Sequence, residues 1–271
     1  MAAVTSLRFY LLLALWRVLD LCFMLLPRRR PRGEVLAGCK IISHRGEHDN
    51  RNVRENTMAA FAAVAAAQVW GIEFDLRWTR DLHPVVIHDT DTRRVFGVDL
   101  VVSEVSLEHL KRRVPEVPTL AEVVAEFGGV VHLMVEIKAD RLGEYAARAT
   151  RLSRIFAGLE AVDDFHFLTL QPDMLRLAEF AGNEACLLVA ELNTRKLSRE
   201  VSSRNLGGLC GHYLLLSNRL QRLHCARGQK VGTGFASSRF CFYRELNRGV
   251  DWIFSNHACK LESIRTRLLR R

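Results

Sequence analysis

Short β-rich runs alternate with helical segments along most of the chain, and this alternation limits the possible folds more than any other feature. Eight runs have strand character: 40–43, 71–78, 131–137, 165–170, 185–191, 208–216, 230–235 and 251–255. Helical segments separate most of them, which is typical of parallel strands joined by crossover helices. Eight such units close into a barrel, and 271 residues are enough to build one. The sequence therefore predicts an α/β fold, a TIM-type (β/α)8 barrel.

One further β-like run, residues 84–88, does not fit this count. It follows the second strand after only five residues, whereas a parallel crossover needs about a dozen or more. We expect it to fold back on the second strand as a hairpin arm. Residues 89–128 then form a small insertion before the third barrel strand, which is a candidate cover for the mouth of the barrel.

The amino-terminal segment 7–26 is apolar except for Arg8, Arg17 and Asp20. As a helix it would extend about 30 Å, the thickness of a bilayer core. No signal-peptidase site follows it, so cleavage is disfavoured. Three alternatives remain: a single membrane span, a helix lying in the interface, or a helix buried in the soluble domain. The first two mean membrane attachment, which we expect.

A basic cluster follows the apolar segment directly and consists of Arg28, Arg29, Arg30 and Arg32. By the positive-inside rule, it favours a cytoplasmic position for the rest of the chain. The seven cysteines are an odd number and form no C-x-x-C pair, which also fits a reducing compartment. Two proline residues and a glycine suggest that residues 27–38 are a linker. We therefore predict an attachment region at 1–38 and a barrel domain at 39–271.

The net charge is +9, and arginine supplies most of the positive charge. No basic run is interleaved with aromatic stacking residues, so we do not expect nucleic acid as a partner. The sequence gives no indication of the oligomeric state.

Ionisable residues stand where strands end, which is where barrel enzymes place their chemistry. Carboxylates inside an apolar strand are costly unless they bind a cation or pair with a base. Glu73, Asp75 and Glu136 form an all-oxygen set that suits Mg²⁺ or Ca²⁺ rather than zinc. The alternative for any single carboxylate is a structural ion pair, for example Glu73 with Lys138. Together with two histidines, the set matches the requirements of phosphodiester hydrolysis.

The order and spacing of these residues resemble the glycerophosphodiester phosphodiesterase family over residues 40–260. The motifs are His44-Arg45-Gly46, Glu55-Asn56-Thr57, Glu73-x-Asp75, Pro84-Val85-Val86-x-His88-Asp89, Pro118-Thr119-Leu120 and Glu136-Ile137-Lys138, with a closing segment at 249–256. The resemblance implies a TIM-type barrel with a small insertion after the His-Asp motif. It also implies hydrolysis of glycerophosphodiesters to glycerol 3-phosphate and an alcohol, with a divalent cation held by carboxylates.

Carried over to this sequence, the resemblance assigns three kinds of role. His44 and His88 are the acid/base pair, and Arg45 and Lys138 bind the substrate phosphate. The metal ligands are Glu73, Asp75 and Glu136.

The second half departs from the family pattern, which bears on substrate specificity more than on chemistry. Where the family has Trp-Thr-Val-Asn, this chain has Gly234-Phe235-Ala236-Ser237, so Phe235 is the candidate aromatic wall of the pocket. Gln171 and Glu191 are further candidates to face the pocket.

Alternative functions differ in substrate or in class. The same site beside a bilayer could act on lysophospholipids as a lysophospholipase D, and the apolar stretch 95–102 could line an acyl groove or pack the insertion against the barrel. A catalytically dead barrel that serves as a membrane scaffold is a different class, and the complete acid/base and carboxylate set argues against it.

Overall fold

The protein is represented by a computed structural model, which describes residue 18 and residues 21–140 and 143–270. Its nine strands are β1 (Lys40–His44), β2 (Gly71–Trp78), β3 (Pro84–Val86), β4 (His132–Ile137), β5 (Phe165–Thr169), β6 (Cys186–Ala190), β7 (Gly208–His212), β8 (Lys230–Gly234) and β9 (Trp252–Ser255). Its α-helices are α1 (Gly33–Ala37), α2 (Met58–Ala66), α3 (Arg93–Phe96), α4 (Leu107–Arg113), α5 (Leu120–Phe127), α6 (Tyr145–Ile155), α7 (Thr194–Ser203), α8 (Asn218–Cys225), α9 (Arg239–Arg248) and α10 (Ala258–Leu269).

Eight of the strands are parallel and close into a barrel, as the alternating pattern predicts. The pairing runs from β1 through β9, β8, β7, β6, β5 and β4 to β2, and β2 pairs with β1 again. All eight sequence-predicted runs contain a barrel strand. The crossover from β5 to β6 is made by the 3₁₀ segment Pro172–Ala181 rather than by an α-helix.

The hairpin arm is also confirmed. β3 runs antiparallel to β2, with Leu76 opposite Val86 and Trp78 opposite Pro84. After it come α3, the 3₁₀ turn Val102–Glu104 and α4, which enclose a small apolar cluster of their own. α5, at the end of the expected insertion, begins with a capping box between Thr119 and Glu122.

Period-two alternation sends one face of every barrel strand inward, and the inward residues form three layers. The middle layer is apolar and includes Ile42, Met134, Leu168, Leu187 and Phe254. The layer at the carboxyl ends of the strands is polar, because the positions that continue this face in β2 and β4 are carboxylates. The fold therefore collects the carboxylates of β2 and β4 at one end of the barrel.

The chain from residue 18 to β1 is described only in part. Among the described residues, none of the helices combines the length and the apolar character that crossing a bilayer requires. Most of the predicted membrane segment, residues 7–26, lies outside the described residues. Within the expected linker, residues 33–37 form α1, whose Leu36 is buried in the main core and contacts α10.

Two buried histidines fill the barrel at the end opposite the polar layer. His132 Nδ1 lies 2.9 Å from the Asp163 carbonyl oxygen, and His132 Nε2 lies 2.8 Å from His166 Nδ1. Trp70 stacks on one imidazole and Trp252 contacts the other edge-on. Burial lowers the pKa of His132 to about 4 and that of His166 to about 3, so both imidazoles are neutral in the folded protein at pH 7.

We expect this pair to make the barrel acid-sensitive. Because the pKa of each folded imidazole lies below its unfolded value, the folded state loses stability as pH falls from about 6.5 towards 4, by up to ~3 kcal/mol for one imidazole. His166→Phe removes one such group, so its free energy of unfolding should fall less over this range than that of the unsubstituted chain. Urea unfolding at several pH values measures the difference. His109→Phe, on α4, is the control, and an unchanged pH dependence in His166→Phe would contradict the assignment.

Candidate active site

The conformation of the loop after β1 explains the first motif. Arg45 and Gly46 both have positive φ, and a Cβ on Gly46 would lie 2.7 Å from the Cβ of Ala60. Only glycine fits here without strain, because α2 packs directly against the turn. The turn leaves His44 at the rim of the barrel and directs Arg45 back across it.

Three buried carboxylates form the centre of the site. Glu73, Asp75 and Glu136 each offer an oxygen, and these oxygens all lie within 4.8 Å of one another. The β2–β4 register accounts for this, since Asp75 lies directly opposite Glu136. The structure therefore brings the three predicted metal ligands together.

Asp75 is the best-compensated of the three. Lys138 Nζ lies 2.7 Å from its Oδ1, Arg45 Nε lies 3.2 Å from its Oδ2, and Asn56 Nδ2 donates to Oδ2 at 2.8 Å. Burial opposes ionisation, but the charges of Lys138 and Arg45 outweigh it and lower the pKa of Asp75 to about 2. Asp75 is therefore anionic throughout the physiological range.

Glu73 is in the opposite situation. It is buried, and neither of its carboxylate oxygens accepts a hydrogen bond from any described residue. Burial and the charges of Asp75 and Glu136 raise its pKa well above the usual value. Lys138 pairs with Asp75 and Glu136 instead, so the structure does not show the Glu73–Lys138 pair that was the structural alternative. The set thus contains a carboxylate that lacks a hydrogen-bond donor and lies beside two others. This arrangement fits a hard cation.

His44 is held by a residue at the end of β9. Its Nδ1 lies 2.6 Å from Asn256 Oδ1, and because an amide oxygen only accepts, Nδ1 carries the proton. The other nitrogen, Nε2, lies 3.7 Å from Glu73 Oε2. Burial, and next the charge of Arg45, lower the pKa of His44 to about 4, so its Nε2 holds a free lone pair at neutral pH.

His88 lies two residues beyond β3 and is oriented by its neighbour. Its Nδ1 lies 2.7 Å from Asp89 Oδ1, and Arg77 Nε donates to its carbonyl oxygen at 2.7 Å. Burial lowers its pKa below the usual value, and the opposing charge of Asp75 does not outweigh that effect. Both predicted histidines therefore stand at the carboxyl end of the barrel, within electrostatic reach of the carboxylates.

Arg94 connects the two halves of this site, and it is not among the site residues predicted from sequence. Its Nε contacts Asp89 Oδ2 at 2.5 Å and its Nη2 contacts Glu55 Oε1 at 2.6 Å. Glu55 in turn accepts from Arg45 Nη1 at 3.0 Å. One guanidinium on α3 of the insertion thus holds the carboxylate behind His88 and the carboxylate behind Arg45.

The pocket wall is partly as expected. The ring of Phe235 lies 4.7 Å from that of His44 in an edge-on arrangement, so the predicted aromatic wall is present. His212, at the end of β7, lies 6.4 Å from Phe235 and was not predicted. Gln171 and Glu191 follow β5 and β6 and are exposed.

The apolar stretch 95–102 packs against the insertion rather than lining an open groove. Phe96, Val98 and Leu100 are half-buried against the cluster of the insertion, which includes Ile87 and Leu110. The contacts of this stretch therefore favour packing of the insertion over an acyl groove.

Comparison with known proteins identifies the same family as the sequence motifs. A family model described as the glycerophosphoryl diester phosphodiesterase family matches residues 44–204. The chain is 36% identical over 111 residues to a glycerophosphodiester phosphodiesterase of Caldanaerobacter subterraneus subsp. tengcongensis, a match that covers 36% of this chain and 45% of that protein. It is 33% identical over 137 residues to glycerophosphodiester phosphodiesterase 1 of Bos taurus, covering 43% and 38%. These matches span less than half the length of either relative.

Solved structures show the same fold over most of the chain. A glycerophosphodiester phosphodiesterase from Thermotoga maritima superposes with a TM-score of 0.70 at 21% identity, covering 83% of this chain and 98% of that one. A phosphodiesterase from Oleispira antarctica, solved in complex with the product sn-glycerol-3-phosphate, gives 0.70 at 21% identity, covering 83% and 95%. The family model covers more than half of the chain, and the motifs that it matches are those that build the carboxylate cluster. The chain therefore belongs to the glycerophosphoryl diester phosphodiesterase family.

Proposed function

We propose that this chain hydrolyses glycerophosphodiesters to glycerol 3-phosphate and an alcohol, as a metal-dependent phosphoric diester hydrolase. The observation that carries the proposal is the buried carboxylate cluster, in which Glu73 has no donor among the described residues. The family supports the substrate class, and the Oleispira antarctica relative has been captured with sn-glycerol-3-phosphate.

Glu73, Asp75 and Glu136 would hold the cation, either Mg²⁺ or Ca²⁺. When bound, it supplies positive charge that stabilises the developing negative charge on the phosphate oxygens. Arg45 and Lys138 add two fixed positive charges beside the same carboxylates, and they bind the substrate phosphate in this proposal.

The two histidines divide the proton transfers. His44 acts as the base, because Asn256 fixes the proton on Nδ1 and leaves Nε2 free to accept one. His88 protonates the leaving alkoxide in this proposal, and the Asp89 carboxylate at its Nδ1 favours the required imidazolium against the burial that lowers the His88 pKa. The attacking oxygen comes from water or from the hydroxyl of the substrate glycerol, and the product analysis below distinguishes them, since only the second route passes through a cyclic phosphate.

The second candidate is hydrolysis of lysophospholipids by the same site. It is favoured by the apolar segment 7–26, which we propose attaches the chain to a membrane with the barrel on the cytoplasmic side. It is disfavoured by the packing of Phe96 and Leu100, because these side chains contact the apolar cluster of the insertion rather than a groove for an acyl chain.

Loss of either histidine should remove one proton transfer. We expect His44→Ala and His88→Ala each to lower kcat by about 10²-fold or more with little change in thermal stability. Steady-state kinetics with glycerophosphocholine, alongside thermal melting, measures both. His257→Ala, an exposed neighbour of Asn256, should keep full turnover. Near-normal kcat in either variant would remove that histidine from the mechanism.

Chelation should abolish activity, and Mg²⁺ or Ca²⁺ should restore it better than Zn²⁺. Binding should also appear without turnover, because an ion at 100 times its Kd stabilises the folded chain by about 2.7 kcal/mol. The melting temperature should therefore rise with added ion in the unsubstituted chain and stay unchanged in Glu73→Gln. Activity in metal-free protein, or an equal rise in Glu73→Gln, would refute the site.

Product identification decides between the two substrate classes. We expect glycerophosphocholine and glycerophosphoinositol to have higher kcat/KM than the corresponding lysolipids, with glycerol 3-phosphate as the product, and a transient cyclic phosphate if the substrate hydroxyl attacks. Chromatography with phosphorus NMR of the reaction follows all of these species. A clear preference for lysolipid that disappears in Phe96→Ser/Leu100→Ser would establish the lipid alternative, because each buried methylene contributes about 0.8 kcal/mol.

A further inference from the structure

The chain that precedes the barrel enters the described structure at the mouth of the active site. The ring of Phe23 contacts Tyr213 edge-on at 5.9 Å, and Ser238 Oγ donates to the Met24 carbonyl oxygen at 3.3 Å. Tyr213 directly follows β7 and Ser238 lies four residues after β8. Residues 23 and 24 therefore lie at the carboxyl ends of the strands, on the side of the barrel where Phe235 borders the site.

From that point the chain descends along the outside of the barrel to its opposite end. Asn247, near the end of α9, donates to the Arg29 carbonyl oxygen at 2.9 Å. Arg30 Nη2 donates to the Leu268 carbonyl oxygen, near the end of α10, at 2.6 Å. Because each barrel helix runs from the mouth towards the amino ends of the strands, residues 29 and 30 lie at the end opposite to residues 23 and 24. Arg29 and Arg30 of the basic cluster thus lie beside the last turns of α9 and α10.

Apolar side chains are exposed on the same side. In the helical stretch 21–25 and just after it, Leu21, Leu25 and Leu26 are 54%, 67% and 48% exposed. Leu192, two residues after β6, is 74% exposed, and Phe235, directly after β8, is 41% exposed. β6, β7 and β8 are neighbours in the barrel, so these residues share one sector of the rim.

The charge of this sector is positive. Arg195 and Lys196 in the first turn of α7, and Arg239 at the start of α9, are exposed. Within the part of the chain that the structure describes, none of the three forms an ion pair with a carboxylate. Along the chain, the nearest acidic residue to Arg195 is Glu191, the nearest to Lys196 is Glu200, which pairs with Arg204, and the nearest to Arg239 is Glu245, which pairs with Arg244 and Arg248. Exposed leucines edged by unpaired cations match the interfacial region of a bilayer that contains anionic lipid.

We propose that the β6–β8 sector of the rim, with Leu192, Phe235, Arg195, Lys196 and Arg239, docks on an anionic lipid surface. The mouth of the barrel then opens towards the headgroups. This surface is distinct from the attachment segment 7–26, because it belongs to the barrel itself and fixes the orientation of the barrel rather than its location. It also rests on no catalytic step, so it can hold or fail independently of the proposed hydrolysis.

An environment-sensitive probe on the rim tests the orientation directly. The full chain, with the exposed Cys22 and Cys225 replaced by serine, carries Leu192→Cys or, as the matched control, Val130→Cys. Val130 is 66% exposed and precedes β4 at the opposite end of the barrel. Of the remaining thiols, three are buried, and burial raises the pKa of Cys39 and Cys259 to about 12, so a maleimide dye reacts at the introduced cysteine.

After reconstitution into vesicles of phosphatidylcholine and phosphatidylglycerol, the dye at 192 should shift to shorter wavelength and lose most of its quenching by aqueous iodide. The dye at 130 should stay exposed to iodide. Equal accessibility at the two positions would overturn the proposal. A chain that does not float with the vesicles would overturn the membrane attachment as well.

Two further variants test whether the cations of the rim cause the shielding of the dye at position 192. Arg195→Glu/Lys196→Glu should restore iodide quenching at 192 several-fold, whereas Arg151→Glu/Arg154→Glu on α6 should not. If the dye at 192 instead becomes shielded in detergent as protein concentration rises, the sector is an interface between copies of the chain and the lipid proposal is wrong. Turnover of soluble glycerophosphocholine in detergent checks the proposed hydrolysis separately.

Discussion

The burial of three carboxylates at one end of a closed barrel is the constraint on which the rest of the site depends. Each carboxylate taken out of water must be compensated or protonated. Asp75 is compensated by Lys138 and Arg45, and Asn56 satisfies it further. Glu73 accepts no hydrogen bond from the described chain, and burial with the charges of Asp75 and Glu136 raises its pKa despite the more distant Lys138 and Arg45. Two things can meet this deficit: protonation of Glu73, which its raised pKa favours, or a cation held by all three carboxylates, whose oxygens lie within 4.8 Å of one another.

The compensating groups are themselves held from outside the barrel. Glu55 orients Arg45, and Asp89 orients His88. Arg94 binds both of these carboxylates, so the loop after β1 and the loop after β3 cannot shift independently of α3. Burial opposes the ionisation of Glu55, but bonds from Arg94 and Asn50 outweigh it and hold its pKa far below the usual range. The insertion thus connects His88 and Arg45 through their carboxylate partners, and it packs on an apolar cluster of its own.

The barrel and the core of its site could be predicted from sequence because both follow from short-range periodicity. Alternation in β2 and β4 puts Glu73, Asp75 and Glu136 on the inward face, and the carboxyl ends of parallel strands meet at one rim. Asn256 was within reach of the same reasoning, since it directly follows β9, but a lone asparagine in a closing motif carries no chemical signal. Arg94 was not, because its position depends on how the insertion folds, and no periodic pattern encodes that.

The segment before the barrel also contains contacts that sequence patterns could not predict. Its proline and glycine residues favoured a linker, whereas Leu36 is buried, the carbonyl oxygens of Met24 and Arg29 accept from the two ends of α9, and the Arg30 side chain donates to the end of α10. Composition cannot reveal such contacts, because they depend on the outer surface of a barrel that is built from residues two hundred positions away. These contacts place residues 23 and 24 at the mouth of the barrel, on the same side as the cluster of Glu73, Asp75 and Glu136. The described chain therefore approaches the barrel on the side that holds its buried carboxylates.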